Sequence, residues 1–162
     1  MKISFIEPHL GGFGGIRRII ELSNHLIMRG HQVTIYHSDG SACNWMRCEA
    51  SIRSYQEVLE TEHDVLIFND PNPTDFELAR KARASLKVYY VLELYESSLL
   101  VGVHPRICMP ANQRTLLVRA FLYSPYLKLV NATWLAEWLG ANLKVDAHPV
   151  VGGVNTEMFH PV

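Results

Sequence analysis

The sequence predicts an α/β domain, a doubly wound Rossmann-like parallel sheet with helices on both faces. Three observations predict this fold. Short apolar segments of strand length alternate with helical stretches along the 162 residues. Four glycines, in GGFGGIRRII, stand between the first strand and the first helix. The hydrophobic fraction of 48% is high enough for one domain with a well-buried core.

The first 37 residues predict one strand–helix–strand unit. KISFI is short and β-prone, which is typical of a strand buried on both faces. Apolar or small residues then recur at helical spacing: Ile16, Ile19, Ile20, Ser23, Leu26 and Ile27. Gly30 stands where a helix ends on a left-handed residue, and QVTIYH follows as the second strand.

The stretch 39–62 stays largely unassigned, although SYQEVLETE within it predicts a short helix. The elements after it again alternate between strands and helices. DVLIFN is a strand, and Thr74 with Glu77 predicts a capping box for the next helix. KVYYVLE is a strand, LLVGVHPRIC stays unassigned, NQRTLLVRAFLY is a helix and LKLVN is a strand. Thr133 is the expected N-cap of WLAEWL, and Gly140 its expected end.

Charge and cysteine content exclude several function classes. A net charge of -1 gives no electrostatic argument for a nucleic-acid partner. The three cysteines, Cys43, Cys48 and Cys108, lack Cys-x-x-Cys spacing and predict reduced thiols without a metal site. MKISFIEPHL is too short an apolar run for a signal peptide, and no run is long enough to span a bilayer. We therefore expect a cytoplasmic protein that needs no cofactor.

The glycine loop predicts an anion cradle. Glycines let the backbone approach a ligand, and the helix N-terminus favours negative charge. A dinucleotide site, with Asp39 on the ribose, would need Gly-x-Gly-x-x-Gly, but Arg17 or Ile19 stands at the third glycine. A Walker A loop fails for lack of Gly-Lys-Ser/Thr. A tight strand-to-helix turn with no ligand is the remaining alternative.

GGFGGIRRIIELSNHLIMRGHQVTIY resembles the first strand–loop–helix–strand of the retaining GT-B glycosyltransferases of family 4. HDVLIFNDP, LKVYYVLELYE and YLKLVNATWLAEWL agree with that family in the same order. VVGGVNTEMFHPV resembles the family's crossing into its second domain. The resemblance covers essentially the whole chain, because five segments occur in the family's order.

The resemblance implies a domain at 1–152 that binds the acceptor, followed at 153–162 by the start of an interdomain linker. A C-terminal domain, which would make most contacts to the nucleotide-sugar donor, would follow. The chain alone should then not catalyse transfer. The implied acceptor is a glycan or a lipid-linked sugar. Whether the protein also contacts the inner face of the membrane peripherally stays open.

The resemblance also implies site residues. The sugar or diphosphate of the donor would approach four glycines, Gly11, Gly12, Gly14 and Gly15. Arg17 or Arg18 would assist, and the choice between them stays open because adjacent helical positions point about 100° apart. Glu93, at the end of the fourth strand of the family's pattern, is the catalytic candidate. Its surroundings are similar to a Gln-Asp-Tyr-Glu region of rhamnosyl-transferring members, with Leu92 and Glu93 in place of Gln and Asp.

Six residues are candidates for binding the acceptor: His9, Asn69, Asp70, Tyr95, Glu96 and His104. Asn69 and Asp70 follow a strand end, together with Asn72, and could equally build the turn there. Trp45 and Tyr55 could stack on a sugar or belong to the core. Two rival functions stay open: half of a nucleotide-sugar epimerase or phosphorylase, and a stand-alone phosphosugar-binding module.

Overall fold

The computed structural model describes residues 1–92 and 111–152, with 111–115 as backbone only. Within these residues, the strands are β1 (Lys2–Ile6), β2 (Gln32–His37), β3 (Ser51–Ser54), β4 (Glu62–Phe68), β5 (Arg83–Val91), β6 (Leu127–Val130) and β7 (His148–Pro149). The helices are α1 (Gly14–Met28), α2 (Pro73–Lys81), α3 (Ala111–Leu122) and α4 (Thr133–Leu143), with a 3₁₀ helix at Tyr55–Leu59.

All described strands form one parallel sheet in the order β3-β2-β1-β4-β5-β6-β7. Phe5 in β1 lies opposite Ile35 in β2 on one side and Ile67 in β4 on the other. The chain moves outward from β1 to β3 and then returns to β4, so the strand order reverses between β1 and β4. This reversal is the topological switch point, where open α/β sheets bind ligands beyond the carboxyl ends of their strands.

The two faces of the sheet carry separate cores, which confirms the predicted doubly wound fold. On one face, α1 buries Ile16, Ile19 and Ile20 against strand residues such as Phe5 and Ile35. On the other face, α2, α3 and α4 pack with alternate strand residues in a second cluster. That cluster includes an aromatic group, Phe68, Tyr89 and Phe121, whose ring centroids lie 4.9–5.8 Å apart.

Helix α1 ends as the sequence predicts. Gly30 has φ = 83°, in the left-handed region that favours glycine. The Gly30 N–H donates to the Ile27 carbonyl at 2.8 Å, and the His31 N–H donates to the Leu26 carbonyl at 3.1 Å. This pair of bonds is a Schellman motif, which turns the chain directly into β2.

Three predicted helix boundaries are wrong. Asn72, not Thr74, caps α2, because its side-chain oxygen accepts the Asp75 N–H at 2.9 Å and Pro73 occupies the first helical position. Helix α4 begins after Ala132, with no side-chain cap from Thr133. It also continues through the predicted stop.

The predicted stop at Gly140 fails because this glycine lies inside α4, which runs on to Leu143. Lys144 adopts the left-handed conformation instead, with φ = 57°. The stretch left unassigned contains a strand, β3, whose four polar-rich residues SIRS carry little hydrophobic signal. The short helix predicted there is the 3₁₀ helix Tyr55–Leu59.

Candidate functional site

The loop that leaves β1 turns sharply before α1 begins at Gly14. The Gly11 N–H donates to Nδ1 of His9 at 3.1 Å, and the Phe13 N–H donates to the Gly11 carbonyl at 2.8 Å. Because α1 begins at Gly14, Gly14 and Gly15 belong to its first turn, and Gly11 and Gly12 lie in the loop before it. The glycines face the carboxyl edge of the sheet beside the switch point.

The N-terminus of α1 suits an anion. Its first turn contains no acidic residue, and its N-cap, Phe13, makes no side-chain capping bond. The first N–H groups of any helix lack an intrahelical acceptor, and the helix dipole adds partial positive charge there. A Cβ on Gly15 would lie 3.3 Å from the Leu92 side chain, so a larger residue would crowd the end of β5.

The two arginines after the glycines point to different surroundings. Arg17 donates to Glu21, one turn further along α1, at 3.1 Å. Arg18 reaches across the sheet edge, where its Nε donates to the Tyr90 hydroxyl and its Nη2 donates to the Val150 carbonyl at 2.7 Å. Arg18 therefore lies over the carboxyl ends of the strands.

The Arg18 guanidinium also packs tightly against the segment after β7. Its carbon lies 5.5 Å from the centre of the Tyr90 ring. A Cβ built on Gly152 would clash with the Arg18 Nη1. Arg18 thus links helix α1, strand β5 and the chain that leaves the sheet at 150–152.

A buried acidic network lies under the switch point. Glu7, the first residue after β1, is fully buried, and both of its carboxyl oxygens accept from Nδ2 of Asn69, at 3.0 and 3.1 Å. The Tyr55 hydroxyl contacts the Glu7 backbone carbonyl at 2.7 Å and Oδ1 of Asp75 at 2.8 Å. Oδ2 of Asp75 has no hydrogen-bond partner in the described part of the chain.

Burial changes the acidity of this network. Desolvation raises the pKa of Glu7 well above its ordinary value, and the nearby Asp75 raises it further. The pKa of Asp75 rises to about 7, mainly by burial, with hydrogen bonds from Tyr55 and Asn72 opposing the rise. Burial therefore favours the protonated form of both carboxyls, and Asp75 titrates close to neutral pH.

Asn69 and Asp70, predicted to bind the acceptor, take part in the local fold. The Asn69 amide is buried and bonded to Glu7. Asp70 is half-buried, and its Oδ2 accepts from Nδ2 of Asn72 at 3.2 Å. These contacts agree with the alternative in which the residues build the turn after β4, and they also place both residues at the switch point.

The other predicted acceptor residue within the described chain is His9, which is exposed beside the glycines. Its ring lies 5.0 Å from that of Phe13. Glu93, Tyr95, Glu96 and His104 lie outside the described residues, as does the expected linker at 153–162.

Neither Glu7 nor Asp75 is among the site residues predicted from the sequence, although the sequence contains a signal for each. Glu7 directly follows a strand of buried residues at its carboxyl end, the position from which parallel sheets present site residues. Asp75 lies in the first turn of a helix, where a carboxylate is commonly exposed, so only the fold reveals its burial.

No group of three or more metal-binding side chains comes together in residues 1–92 and 116–152. The described helices are also too short or too polar to cross a membrane.

No protein-family model and no curated protein matches this sequence. Among solved structures, the chain is similar to a sucrose-phosphate synthase from Thermosynechococcus elongatus, with a TM-score of 0.71 and 11% sequence identity. The match covers 99% of this chain and 50% of the synthase, so this chain spans about half the length of that protein. At this identity the similarity establishes the α/β Rossmann-like fold.

Proposed function

We propose that this chain is the acceptor-binding half of a retaining glycosyltransferase that uses a nucleotide-sugar donor. The observation that carries the proposal is the match of nearly the whole chain to one half of a sucrose-phosphate synthase. The GT-B resemblance of the sequence points to the same kind of enzyme independently. In this account, 1–152 is the N-terminal domain, 153–162 begins the linker, and the donor is held mainly by a second domain.

The geometry around α1 supports a role for this half in handling the donor phosphates. The glycine loop and the helix N-terminus supply backbone N–H groups beside the switch point, and the first helical turn has no carboxylate to repel an anion. In sugar transfer, negative charge grows on the leaving diphosphate, and N–H groups aimed at it would stabilise the transition state. Glu93 remains the proposed residue near the anomeric carbon.

A calorimetric titration of the 162-residue chain with a panel of nucleotide sugars tests the proposal. Because most donor contacts would belong to the second domain, we expect a Kd of about 1 mM or weaker, equivalent to roughly -4 kcal/mol. Arg29→Met, which removes a charge at the exposed far end of α1, is the control and should leave binding unchanged. Submicromolar binding by this chain alone would favour the rival stand-alone binding module.

A further inference from the structure

The glycine loop carries exposed aromatic side chains that the donor site does not use. Phe13 is 41% exposed and Trp45 is 39% exposed. A Cβ on Gly11 would lie 3.1 Å from the Phe13 ring, and one on Gly12 would lie 3.9 Å from the Trp45 ring. The two aromatic residues therefore flank adjacent glycines at the carboxyl edge of the sheet.

Trp45 is held in place, although its ring is exposed. Its indole Nε1 donates to the Leu10 carbonyl at 2.7 Å, which fixes the ring against the loop after β1. The loop that carries Trp45 is anchored to α1 by Asn24, whose Nδ2 donates to the Arg47 carbonyl at 3.0 Å and whose Oδ1 accepts the Glu49 N–H at 2.8 Å. A rigid aromatic ring binds a ligand at little cost in conformational entropy.

The polar groups beside these rings are hydrogen-bond donors. Because Nδ1 of His9 accepts the Gly11 N–H, the neutral imidazole carries its proton on the exposed Nε2. The segment 9–13, HLGGF, contains no acidic, lysine or arginine side chain. Aromatic faces with a few neutral hydrogen-bonding groups suit an uncharged ring with hydroxyl groups, whereas a phosphate would be attracted to the helix N-terminus next to it.

We propose that Trp45, Phe13 and His9 form a sugar-binding subsite, named here the aromatic subsite. In it, a neutral pyranose ring of the acceptor lies against Trp45 and Phe13 and accepts a hydrogen bond from Nε2 of His9. The inference rests on the proposed function, because it assigns the acceptor to one side of the glycine loop. The donor diphosphate would bind next to this subsite, at the first N–H groups of α1.

The test is a titration of the 162-residue chain with maltotriose, cellotriose and chitotriose, followed by tryptophan fluorescence and calorimetry. We expect millimolar binding of at least one trisaccharide, which Trp45→Ala weakens by about tenfold or more. Trp45→Phe should restore part of the affinity, because it keeps an aromatic face. Trp134→Ala is the matched control, since Trp134 is 56% exposed on α4, and it should leave binding unchanged.

Trp45→Ala removes the hydrogen bond from the indole to the Leu10 carbonyl and could unfold the loop that carries residue 45. Phe13→Ala, which keeps that hydrogen bond, is therefore a second test variant. Circular dichroism and thermal melting identify such unfolding, and Phe13→Ala should weaken trisaccharide binding on its own. The proposal is overturned if no trisaccharide binds, if both alanine variants bind like the parent chain, or if uridine and adenosine bind at Trp45 in place of sugars. Glycosyl transfer by the complete protein that persists unchanged in Trp45→Ala would overturn the subsite and leave the proposed function standing.

Discussion

Replacing Asp75 by asparagine is expected to make the protein more stable at pH 8. Asp75 is fully buried, and its pKa is raised from 3.8 to about 7, chiefly by burial. Between about pH 4 and pH 7, the folded state keeps a proton that the unfolded state has lost. The free energy of unfolding therefore falls as the pH rises through this window, and the contribution of Asp75 is constant above it.

The gap between 3.8 and about 7 corresponds to roughly 4 kcal/mol, as an upper bound, at 1.36 kcal/mol per pKa unit. Asparagine keeps an Oδ1 that can accept from Tyr55, but it loses a favourable charge in the first turn of α2, worth up to about 1 kcal/mol. The net gain for Asp75→Asn at pH 8 is then roughly 1 to 3 kcal/mol. At pH 5 the gain should largely disappear.

Urea denaturation of the parent chain and of Asp75→Asn, at pH 5 and pH 8, measures this difference. Glu62→Gln is the surface control, because Glu62 is exposed and its ion pair with Arg83 spans 3.5 Å. This control should change stability by less than about 0.5 kcal/mol at either pH. The reasoning is refuted if the parent chain becomes more stable from pH 5 to pH 8, or if Asp75→Asn destabilises it equally at both.

Two further pairs of variants test the fold and the sheet edge. Gly30→Ala should lower the free energy of unfolding by about 1–2 kcal/mol, because Gly30 has a left-handed φ. Gly140→Ala, inside α4, should raise the free energy of unfolding by about 0.5–1 kcal/mol. Equal effects of the two variants in urea denaturation would contradict this contrast. Arg18→Met should speed amide hydrogen exchange at 150–152, because it removes the hydrogen bond to the Val150 carbonyl. Arg17→Met, which removes the contact with Glu21, should leave that exchange unchanged. Unchanged exchange in Arg18→Met would show that the contact does not hold this segment.

The fold could be predicted from the sequence wherever a local pattern determines it. The hydrophobic runs of β1 and β4, the helical spacing of α1 and the glycine at position 30 all identify their elements correctly. Helix ends were less predictable, because both Asn72 and Thr74 are good capping residues and Pro73 decides between them. Strand β3 was missed because its hydrogen bonds to β2, and not an apolar pattern, define it.

For the candidate site, the sequence predicts only a location. The rule for open α/β sheets places it at the glycine loop, and the structure brings Gly11 and Asn69 to the same edge. The sequence could not place Arg18 at this edge, because its position depends on Tyr90, a residue 72 positions away. The burial of Glu7 depends in the same way on contacts between distant segments.

The measurement that tests the proposed function most directly is sugar transfer by a protein in which this chain is followed by the second domain that the proposal requires. Radiolabelled nucleotide sugars would be incubated with that protein and a set of glycan and lipid-linked acceptors, with the 162-residue chain as control. We expect that one donor transfers its label to an acceptor, with retained anomeric configuration, and that the 162-residue chain transfers none. A complete protein that moves no label from any donor, or that transfers with inversion, would contradict it.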